Sequence, residues 1–454
     1  MSDAAPQPAA AVQYPSASTA WYSISILLVA YTVAFVDRTI LALLVGPIQR
    51  DLGISDTQMG LLHGIAFALF YCALGIPIAR LSDQYSRRWI ILVGMFFWSG
   101  MTALCGVAKG FWALFAARVG VGVGEAALSP AAYSMIADMF PPHRLGRALG
   151  VYSSGVFFGA GIAFMIGGSI IGALEQTRVM SLPIVGEVRS WQAVFFMVGI
   201  PGALFALLML SVPEPSRKLA ASAGNSSSTE KLVLPGLWAY LQENRRVVFG
   251  HFMGFSLLAI VFNGYVAWAP TQLIRDFSVT AGQAGQALGL VIFLFGGSGI
   301  IIGGVVADRL ARRGYADANM RAGVFGALGL LPACLLAPQM SSFNASIMVY
   351  AAFFFFASFP YGAAAAALQL MAPHDLRARI SAIYLLILNL IGIGLGPLCI
   401  AAISDSLLGG KAHLGTAMTI VSAVVVPLGG LILLFTLPAF RRLVSQSPDK
   451  QMAS

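Results

Sequence analysis

Charge is scarce in this sequence of 454 residues. Asp, Glu, Lys and Arg together make up 10% of the chain, whereas 58% of its residues are hydrophobic. A soluble domain carries roughly a quarter of its residues as charged side chains, because its surface must be hydrated. The composition therefore excludes a soluble globular protein. Together with a mean hydropathy of +0.82, it predicts a polytopic, all-α integral membrane protein.

Cysteine is also sparse, and its placement argues against a disulfide framework. The four cysteines, Cys72, Cys105, Cys334 and Cys399, all lie within apolar runs, which suits packing better than cross-linking. The N-terminal segment lacks the basic region and short apolar core of a secretory signal peptide. Residues 1–18 are polar and rich in Pro and Ala, and we interpret them as a disordered cytoplasmic tail.

The sequence lacks the usual motifs of membrane-bound catalysis. It contains no Walker loop, which argues against ATP coupling, and no His-x-x-x-x-Asp acyltransferase spacing. We therefore predict that the chain is not an enzyme and uses no cofactor and no metal. The pI near 9.6 suggests nucleic acid as a partner only until the positions of the basic residues are considered.

Apolar segments long enough to cross about 30 Å of hydrocarbon form two sets of six. The predicted spans start near Ala20, Thr57, Trp89, Phe111, Gly146, Trp191, Val247, Gly282, Ala322, Ala345, Arg379 and Leu414. The predicted organisation is two six-helix bundles, 19–213 and 247–440, followed by a tail, 441–454. Between the bundles, residues 214–246 form a cytoplasmic linker whose last part, Leu234 to Arg246, has the pattern of an interfacial helix.

The distribution of basic residues predicts the orientation. If both termini are cytoplasmic, 19 of the 27 Lys and Arg residues fall on the cytoplasmic side, six fall outside, and Arg38 and Arg118 lie within spans. Cytoplasmic loops carry such an excess of Lys and Arg. This asymmetry explains the high pI without a nucleic acid partner.

The two halves of the sequence repeat one another. Span 2 ends in "ARLSDQYSRRW" and span 8 in "GVVADRLARRG", so that both read small-x-x-x-Asp-x-x-x-Arg-Arg, with Asp83 and Asp308 in equivalent positions. The loop "PPHRLGRALG" after span 4 also resembles "APHDLRARIS" after span 10. Two parallel six-span repeats are an architecture of secondary transporters.

These motifs resemble the major facilitator superfamily over the whole chain. The family motif after span 2 reads roughly Gly-x-Leu-Ala-Asp-Arg-x-Gly-Arg-Arg, and this sequence departs from it at Ala79, Gln84 and Ser86. The matching residues are Asp83, Arg87 and Arg88 in the first copy and Gly304, Asp308, Arg309, Arg312 and Arg313 in the second. The resemblance implies twelve transmembrane helices in two bundles around a central cavity, and transport by alternating access.

A narrower resemblance is to the spinster branch, which transports lysophospholipids and sphingoid lipids. It rests on "DRTI", "ISDTQMGLL", "GVGEAALSPAAYSMIADMF", "WAPTQLIRDF" and "NLIGIGLGPLCIAAISD". The resemblance implies a lipid or amphipathic small-molecule substrate, with membrane lipids as further partners. Short loops favour a bacterial member in the inner membrane, which we expect to be a monomer.

Four charged residues lie inside the predicted spans. Asp37 and Arg38 are adjacent in span 1 and point about 100° apart on a helix, so each needs a different partner. Arg118 and Glu125 lie two turns apart on one face of span 4. At about 1.5 Å per residue, all four have overlapping depths, and we expect them to meet at the central cavity.

This set predicts proton coupling together with anion binding. We assign Asp37 and Glu125 as proton sites, Arg118 as the residue that tunes them, and Arg38 as the ligand of an anionic head group. An arginine that moves relative to a buried acid changes its proton affinity, and guanidinium binds phosphate or carboxylate. The alternative is a fixed ion network that only sets helix register.

For other polar residues, a role in transport competes with a simpler structural role. His63 is a proton carrier or, more simply, a polar packing residue. We predict a cytoplasmic gate formed by Asp83, Arg87, Arg88, Asp138, Asp308, Arg309 and Arg312. Those at the ends of spans 2 and 8 could instead only anchor loops through the positive-inside rule.

The leading interpretation is a proton-coupled secondary transporter of an amphipathic, anionic lipid. The alternative within the same fold is a carrier of small organic anions or hydrophobic drugs. A pore is disfavoured by the twofold repeat and the gate motifs, and saturable flux would separate a carrier from a channel.

Overall fold

The computed structural model of the chain describes residues 14–174, 179–182, 186–215, 230–373 and 376–445. Within these ranges, twelve helices are long and apolar enough to cross a membrane. We number them spans 1 to 12: Ala17–Leu43, Asp56–Gln84, Arg87–Cys105, Phe111–Met139, Arg147–Leu174, Ser190–Ser211, Arg245–Phe277, Ala281–Arg312, Ala318–Gln339, Phe343–Met371, Arg379–Ser406 and Leu414–Ser445.

The predicted spans agree closely with these helices, and every predicted start lies within four residues of the observed one. The predicted tails are too long. Ser16 caps the first helix with its side chain, so Ala17 and Ser18 are helical, and span 12 continues to Ser445. Residues 1–13 and 446–454 of those predicted tails lie outside the described residues. A helix at Glu230–Glu243 overlaps the predicted interfacial helix, Leu234 to Arg246, but Arg245 and Arg246 already belong to span 7. Its position at the membrane interface stays a prediction.

Several spans are interrupted along their length. Span 2 consists of Asp56–His63 and Ile65–Gln84, and span 4 of Phe111–Glu125 and Leu128–Met139. Spans 8 and 11 contain the π-helical turns Ile292–Gly296 and Leu390–Leu395, a form that often marks functional sites.

Short elements complete the chain between the spans. They are the helices Val45–Leu52 and Glu230–Glu243, the 3₁₀ turn Lys411–His413, and an antiparallel hairpin of strands β1 (Val179–Leu182) and β2 (Gly186–Arg189). Span 6 ends in the 3₁₀ turn Leu207–Ser211, and span 9 in Ala337–Gln339.

We name the two ends of the bundle after the positions of the chain termini. The tail side is where span 1 begins and span 12 ends, and the far side is the opposite end. A hydrogen bond of 2.8 Å between Tyr22 and Ser211 joins the start of span 1 to the end of span 6 at the tail side. A bond between Thr57 and Asp405 joins the start of span 2 to the end of span 11 at the far side.

Glycines of span 5 let this helix pack closely against two others. A Cβ placed on Gly155 or Gly159 would meet span 1 at 2.7 Å and 3.2 Å. On another face, a Cβ on Gly161 would lie 2.8 Å from the carbonyl oxygen of Gly289 in span 8. Small residues permit such close backbone approach. Span 5 therefore joins the N-terminal half to the C-terminal half.

Spans 2 and 11 form a second close contact between the halves. A Cβ on Gly64 would stand 2.3 Å from the carbonyl oxygen of Gly394, and one on Gly60 would stand 2.9 Å from Ala401 Cβ. The interruption of the helix at Gly64 therefore brings the backbones of spans 2 and 11 together near the far side. A residue with a side chain cannot occupy this position while the halves are closed.

We expect Gly64→Ala to shift the protein away from far-side closure, because the added methyl group would overlap the Gly394 carbonyl oxygen. Gly75→Ala is the matched control, since a Cβ on Gly75 of the same span meets nothing within 4 Å. The measurement is the electron–electron resonance distance between spin labels at Trp112 and Leu407 on the far side. Equal distance distributions in the two variants would contradict the prediction.

Candidate functional site

An ion pair between spans 1 and 4 lies at the centre of the N-terminal half. Arg38 Nε donates to Glu125 Oε2 at 2.6 Å, and the Arg38 side chain is 18% exposed while that of Glu125 is fully buried. A charge-assisted hydrogen bond of this length is among the stronger polar contacts in proteins. The second oxygen of Glu125, Oε1, has no hydrogen-bond partner among the described residues.

Aromatic rings surround the Arg38 guanidinium. Its central carbon lies 4.5 Å from the ring centroid of Phe67, 5.1 Å from that of Tyr71 and 5.3 Å from that of Phe35. Cations are attracted to aromatic faces at such distances. Arg38 therefore combines a positive charge with an apolar surround, and it keeps partial exposure.

Asp37 lies in a more enclosed position on the same helix. Arg118 Nη1 donates to the main-chain carbonyl oxygen of Asp37 at 3.0 Å. The Asp37 side chain is fully buried, and Arg118, Glu125, Trp98 and Thr102 all lie close enough to act on its charge. Neither carboxyl oxygen makes a hydrogen bond within the described part of the chain, however. A buried carboxylate in such a setting is costly unless it is paired or protonated.

The structure thus brings together the four charged residues predicted from their depths. Within the cluster, Glu125 makes its ion pair with Arg38, whereas Arg118 hydrogen-bonds the main chain of Asp37. The roles assigned to the four residues stay predictions. Sequence reasoning did not find Phe67, Tyr71, Trp98 and Thr102. Aromatic and hydroxyl residues are common in spans, so no signal in the sequence set these four apart.

Tyrosines extend this region towards the C-terminal half. The Tyr31 ring stacks on Tyr152 at 4.8 Å, and its phenol group is close enough to those of Tyr71, Tyr133 and Tyr361 for electrostatic interaction. Tyr361 belongs to span 10, and its ring lies 5.5 Å from Phe157 of span 5. Phenol groups from both halves therefore lie around Tyr31, which together with Tyr71 is close enough to Arg38 for electrostatic interaction.

His63 is buried in span 2, close to the break at Gly64. Its Nε2 has no hydrogen-bond partner in the described ranges, and its ring centroid lies 5.9 Å from that of Trp268 in the other half. The residue therefore packs at the interface between the halves. Its role as a proton carrier stays a prediction.

A buried network at the tail side holds the N-terminal half together. Arg87 contacts Asp138 and donates from Nε to Glu214 Oε1 at 2.9 Å. The main-chain N–H of Arg88 donates to the other oxygen of Glu214 at 2.9 Å. Burial raises the pKa of Glu214, but the hydrogen bonds from Arg88, Ser86 and Arg87 outweigh this effect and leave the pKa below its ordinary value.

The C-terminal half has a corresponding network at its tail side. Asp317 accepts hydrogen bonds from Arg321 at 2.8 Å and from Arg441 at 2.9 Å. Each network lies within a single half. Each therefore connects helices of its own half and does not connect the two halves to each other. Sequence reasoning missed Glu214 and Asp317, because charged residues next to spans are ordinary.

The remaining predicted gate residues make no such contacts in this conformation. Asp83, Asp308, Arg309 and Arg312 are exposed at the tail side, and none has an ion pair with another described residue. The gate prediction requires contacts formed in one state only. In the conformation described here, these four residues do not form such contacts with other described residues.

The two halves are locked at the far side instead. Arg275 of span 7 donates to both carboxyl oxygens of the buried Asp56 at 2.9 Å and 2.7 Å, and to Gln49 at 2.9 Å. The main-chain N–H and hydroxyl of Thr57 donate to Asp405 Oδ2 at 2.6 Å and 2.7 Å. Sequence reasoning did not identify these latches, although all of their residues except Gln49 lie in the quoted stretches "ISDTQMGLL", "WAPTQLIRDF" and "NLIGIGLGPLCIAAISD".

Comparisons with known proteins agree with this architecture. Residues 27–397 match the model of the Major Facilitator Superfamily. An MFS-type efflux pump of Mycolicibacterium smegmatis is 28% identical, over 93% of this chain and 94% of its own. The D-galactonate transporter of Escherichia coli O6:H1 is 26% identical, over 74% of this chain and 78% of its own.

A similar fold has been solved crystallographically. It is described as a bacterial homolog to the human lysosomal transporter, spinster, in an inward-facing and unoccupied conformation. That chain is 26% identical and superposes with a TM-score of 0.77, covering 96% of this chain and 100% of its own.

Tail-side acids in the buried networks and exposed tail-side acids should respond differently to neutralisation. We expect Asp138→Asn to lower the unfolding free energy by about 1–3 kcal/mol, because it removes a charged acceptor from the buried Arg87. Asp83→Asn, the control at an exposed position, should leave thermal stability unchanged in detergent. Equal thermal shifts would contradict this assignment.

Asp83→Asn and Asp308→Asn should nevertheless change the conformational balance. If these residues latch the tail side in the opposite state, each variant shifts the population towards the conformation seen here. Spin-label distances between the tail-side ends of spans 4 and 10 measure that population. Distances that match the parent protein in both variants would argue that these residues only anchor loops.

Proposed function

Because the chain belongs to the Major Facilitator Superfamily and resembles its spinster branch, we propose that it is a proton-coupled secondary transporter of an anionic, amphipathic lipid. The lipid is of the lysophospholipid or sphingoid type and moves by alternating access. The observation that carries the proposal is Arg38, a partly exposed guanidinium paired with a fully buried acid and surrounded by aromatic rings.

Arg38 supplies the head-group site. A phosphate or carboxylate binds guanidinium in two-pronged geometry, so it competes with Glu125 for the same donor. The rings of Phe35, Phe67 and Tyr71 give the adjoining part of the substrate an apolar contact. This combination favours an amphiphile over a polar solute.

Glu125 and Asp37 supply the proton sites. When an anionic head group takes Arg38, Glu125 loses its counter-charge while still buried, and a proton then removes the cost of that charge. Asp37 already lacks a hydrogen-bond donor among the described residues. Arg118 lies close to both acids and tunes them. Substrate and proton binding are thereby coupled through one ion pair.

Alternation between two states follows from the gates. The excess of Lys and Arg at the tail side supports an orientation with that side and both termini in the cytoplasm, and the proposed membrane is a bacterial inner membrane. The conformation described here, locked by Asp56 and Arg275, is then closed to the outside. The Asp83 and Asp308 latches close the cytoplasmic side in the opposite state. Each chain carries its own complete site, so the transporter acts as a monomer.

A second candidate is a carrier of small organic anions, such as sugar acids. It is favoured by the phenol groups of Tyr31 and Tyr71 near Arg38 and by those of Tyr133 and Tyr361 near Tyr31, which suit a hydroxylated anion. Similarity to the D-galactonate transporter points the same way. The hydroxyl groups and the aromatic faces of this region therefore favour different substrates.

Uptake into proteoliposomes distinguishes the candidates. Lysophosphatidylglycerol, sphingosine phosphate and galactonate are each tested with and without a pH gradient, with Arg38→Ala as the binding-deficient variant. The lipid proposal predicts saturable transport of a lysolipid or sphingoid phosphate that depends on the gradient and on Arg38. Transport of galactonate alone would favour the second candidate, and transport unaffected by the gradient would overturn proton coupling.

Neutral substitutions test the proton sites. Glu125→Gln and Asp37→Asn imitate the protonated acids, so each should bias the conformational equilibrium, and the double variant should abolish its pH dependence. Arg118→Ala should reduce transport more severely, by about tenfold or more, since it leaves buried acids with less counter-charge. Spin-label distances between pH 5 and 8 provide the measurement. If the double variant still responds to pH, His63 becomes the first candidate, and His63→Gln tests it.

A further inference from the structure

A separate cavity of about 430 Å³ lies at the far side, where residues from both halves line it. Its walls come from the ends of spans 1, 5 and 7, the starts of spans 6 and 8, and the short helix Val45–Leu52. A volume of this order holds a small ligand or part of a larger one. Arg38 is not among the lining residues, so this cavity is distinct from the central ion pair.

The lining of the cavity is apolar with a cationic end. Leu44, Ile171 and Ile274 supply apolar surface, while Arg50 and Arg275 supply guanidinium groups. No acidic residue is among the described residues that line it. Arg50 is exposed, and no ion pair joins it to another described residue. Arg275 is paired with Asp56, which lies outside the lining, so Arg50 supplies the unbalanced positive charge beside the apolar wall.

We infer that this cavity is a second ligand site, which takes an anionic amphiphile from the far side. A phosphate or carboxylate group lies between Arg50 and Arg275, and the adjoining chain packs against Leu44, Ile171 and Ile274. Charge-assisted bonds to guanidinium hold the head group, and burial of the chain adds a hydrophobic contribution.

Occupancy of this site acts on the far-side closure through Arg275. The guanidinium of Arg275 donates to both carboxyl oxygens of Asp56 and to Gln49 in the closed state. An anion in the cavity competes for those donors, while the buried Asp56 keeps its hydrogen bonds from Gln49 and Ser404. Because the ligand binds better when Arg275 is released, its binding favours the far-side-open state. By the same linkage, far-side closure weakens its binding.

Photolabelling locates the site without relying on transport. The probe is dodecyl phosphate with a diazirine next to the head group, applied to the full-length protein in zwitterionic nanodiscs. Labelled peptides are identified by mass spectrometry. We expect labels in 43–50 and 271–281, and about tenfold less labelling in Arg50→Gln, which corresponds to one lost charge-assisted bond. Lys109→Gln is the control, because it removes one exposed positive charge on the same side outside the lining.

The conformational part is tested with spin labels at Trp112 and Leu407. Dodecyl phosphate should lengthen the far-side distance in the parent protein and in Lys109→Gln, but much less in Arg50→Gln. Inorganic phosphate and dodecyl maltoside test the head group and the chain separately, and neither should reproduce the shift. A shift with inorganic phosphate alone would overturn the amphiphile assignment.

Two further results would overturn the proposal as a whole. They are equal labelling of Arg50→Gln and Lys109→Gln, and labelling spread over lipid-facing surfaces without enrichment in 43–50 and 271–281. Arg38→Ala separates the two sites, since it should abolish central transport and leave far-side labelling unchanged. Failure of the lipid-transport proposal therefore leaves this test intact, and the reverse also holds.

Discussion

The cost of burying a charge in an apolar environment organises this molecule. Buried ions need a partner, because hydrocarbon offers neither water nor a screening medium. The chain meets this requirement at three depths, with Arg87 and Asp138 at the tail side, Arg38 and Glu125 in the middle, and Arg275 and Asp56 at the far side. The first two pairs lie within one half. The third joins the halves, so among these pairs it is the one that must break, together with the Thr57–Asp405 contact, for the far side to open.

The sequence predicts the fold and the central cluster for the same physical reason. A charge inside an apolar run is conspicuous, and helical rise converts its position into depth, so Asp37, Arg38, Arg118 and Glu125 could be placed together in advance. The pairing of these four residues could not be predicted in this way. Whether Glu125 meets Arg38 or Arg118 depends on helix rotation and on side-chain conformations, which are set by neighbours such as Phe67 and Gly122, whose backbones approach closely.

The far-side lock escaped prediction because its members are ordinary in sequence. Asp56 and Arg275 lie at span ends, where charge is expected, and they are separated by 219 residues along the chain. No local pattern relates them, and the close packing of spans 2 and 11 around Gly64 is a further contact that holds this end closed. The exposure of Asp83 and Asp308 could not be predicted either. Their repeated motif indicates that they lie at the ends of spans 2 and 8, but it carries no information on which conformational state the chain adopts.

The central and far-side arginines share one chemistry but differ in its consequence. Each is held by a buried acid that an anionic ligand would displace from the guanidinium. Displacement of Glu125 keeps the change within one half and leaves a buried acid to be neutralised, which links the ligand to a proton. Displacement of Asp56 removes an ion pair between the halves, which links the ligand to the opening of the far side. The position of the acid relative to the interface, rather than the acid itself, thus determines whether anion binding is coupled to protonation or to conformation.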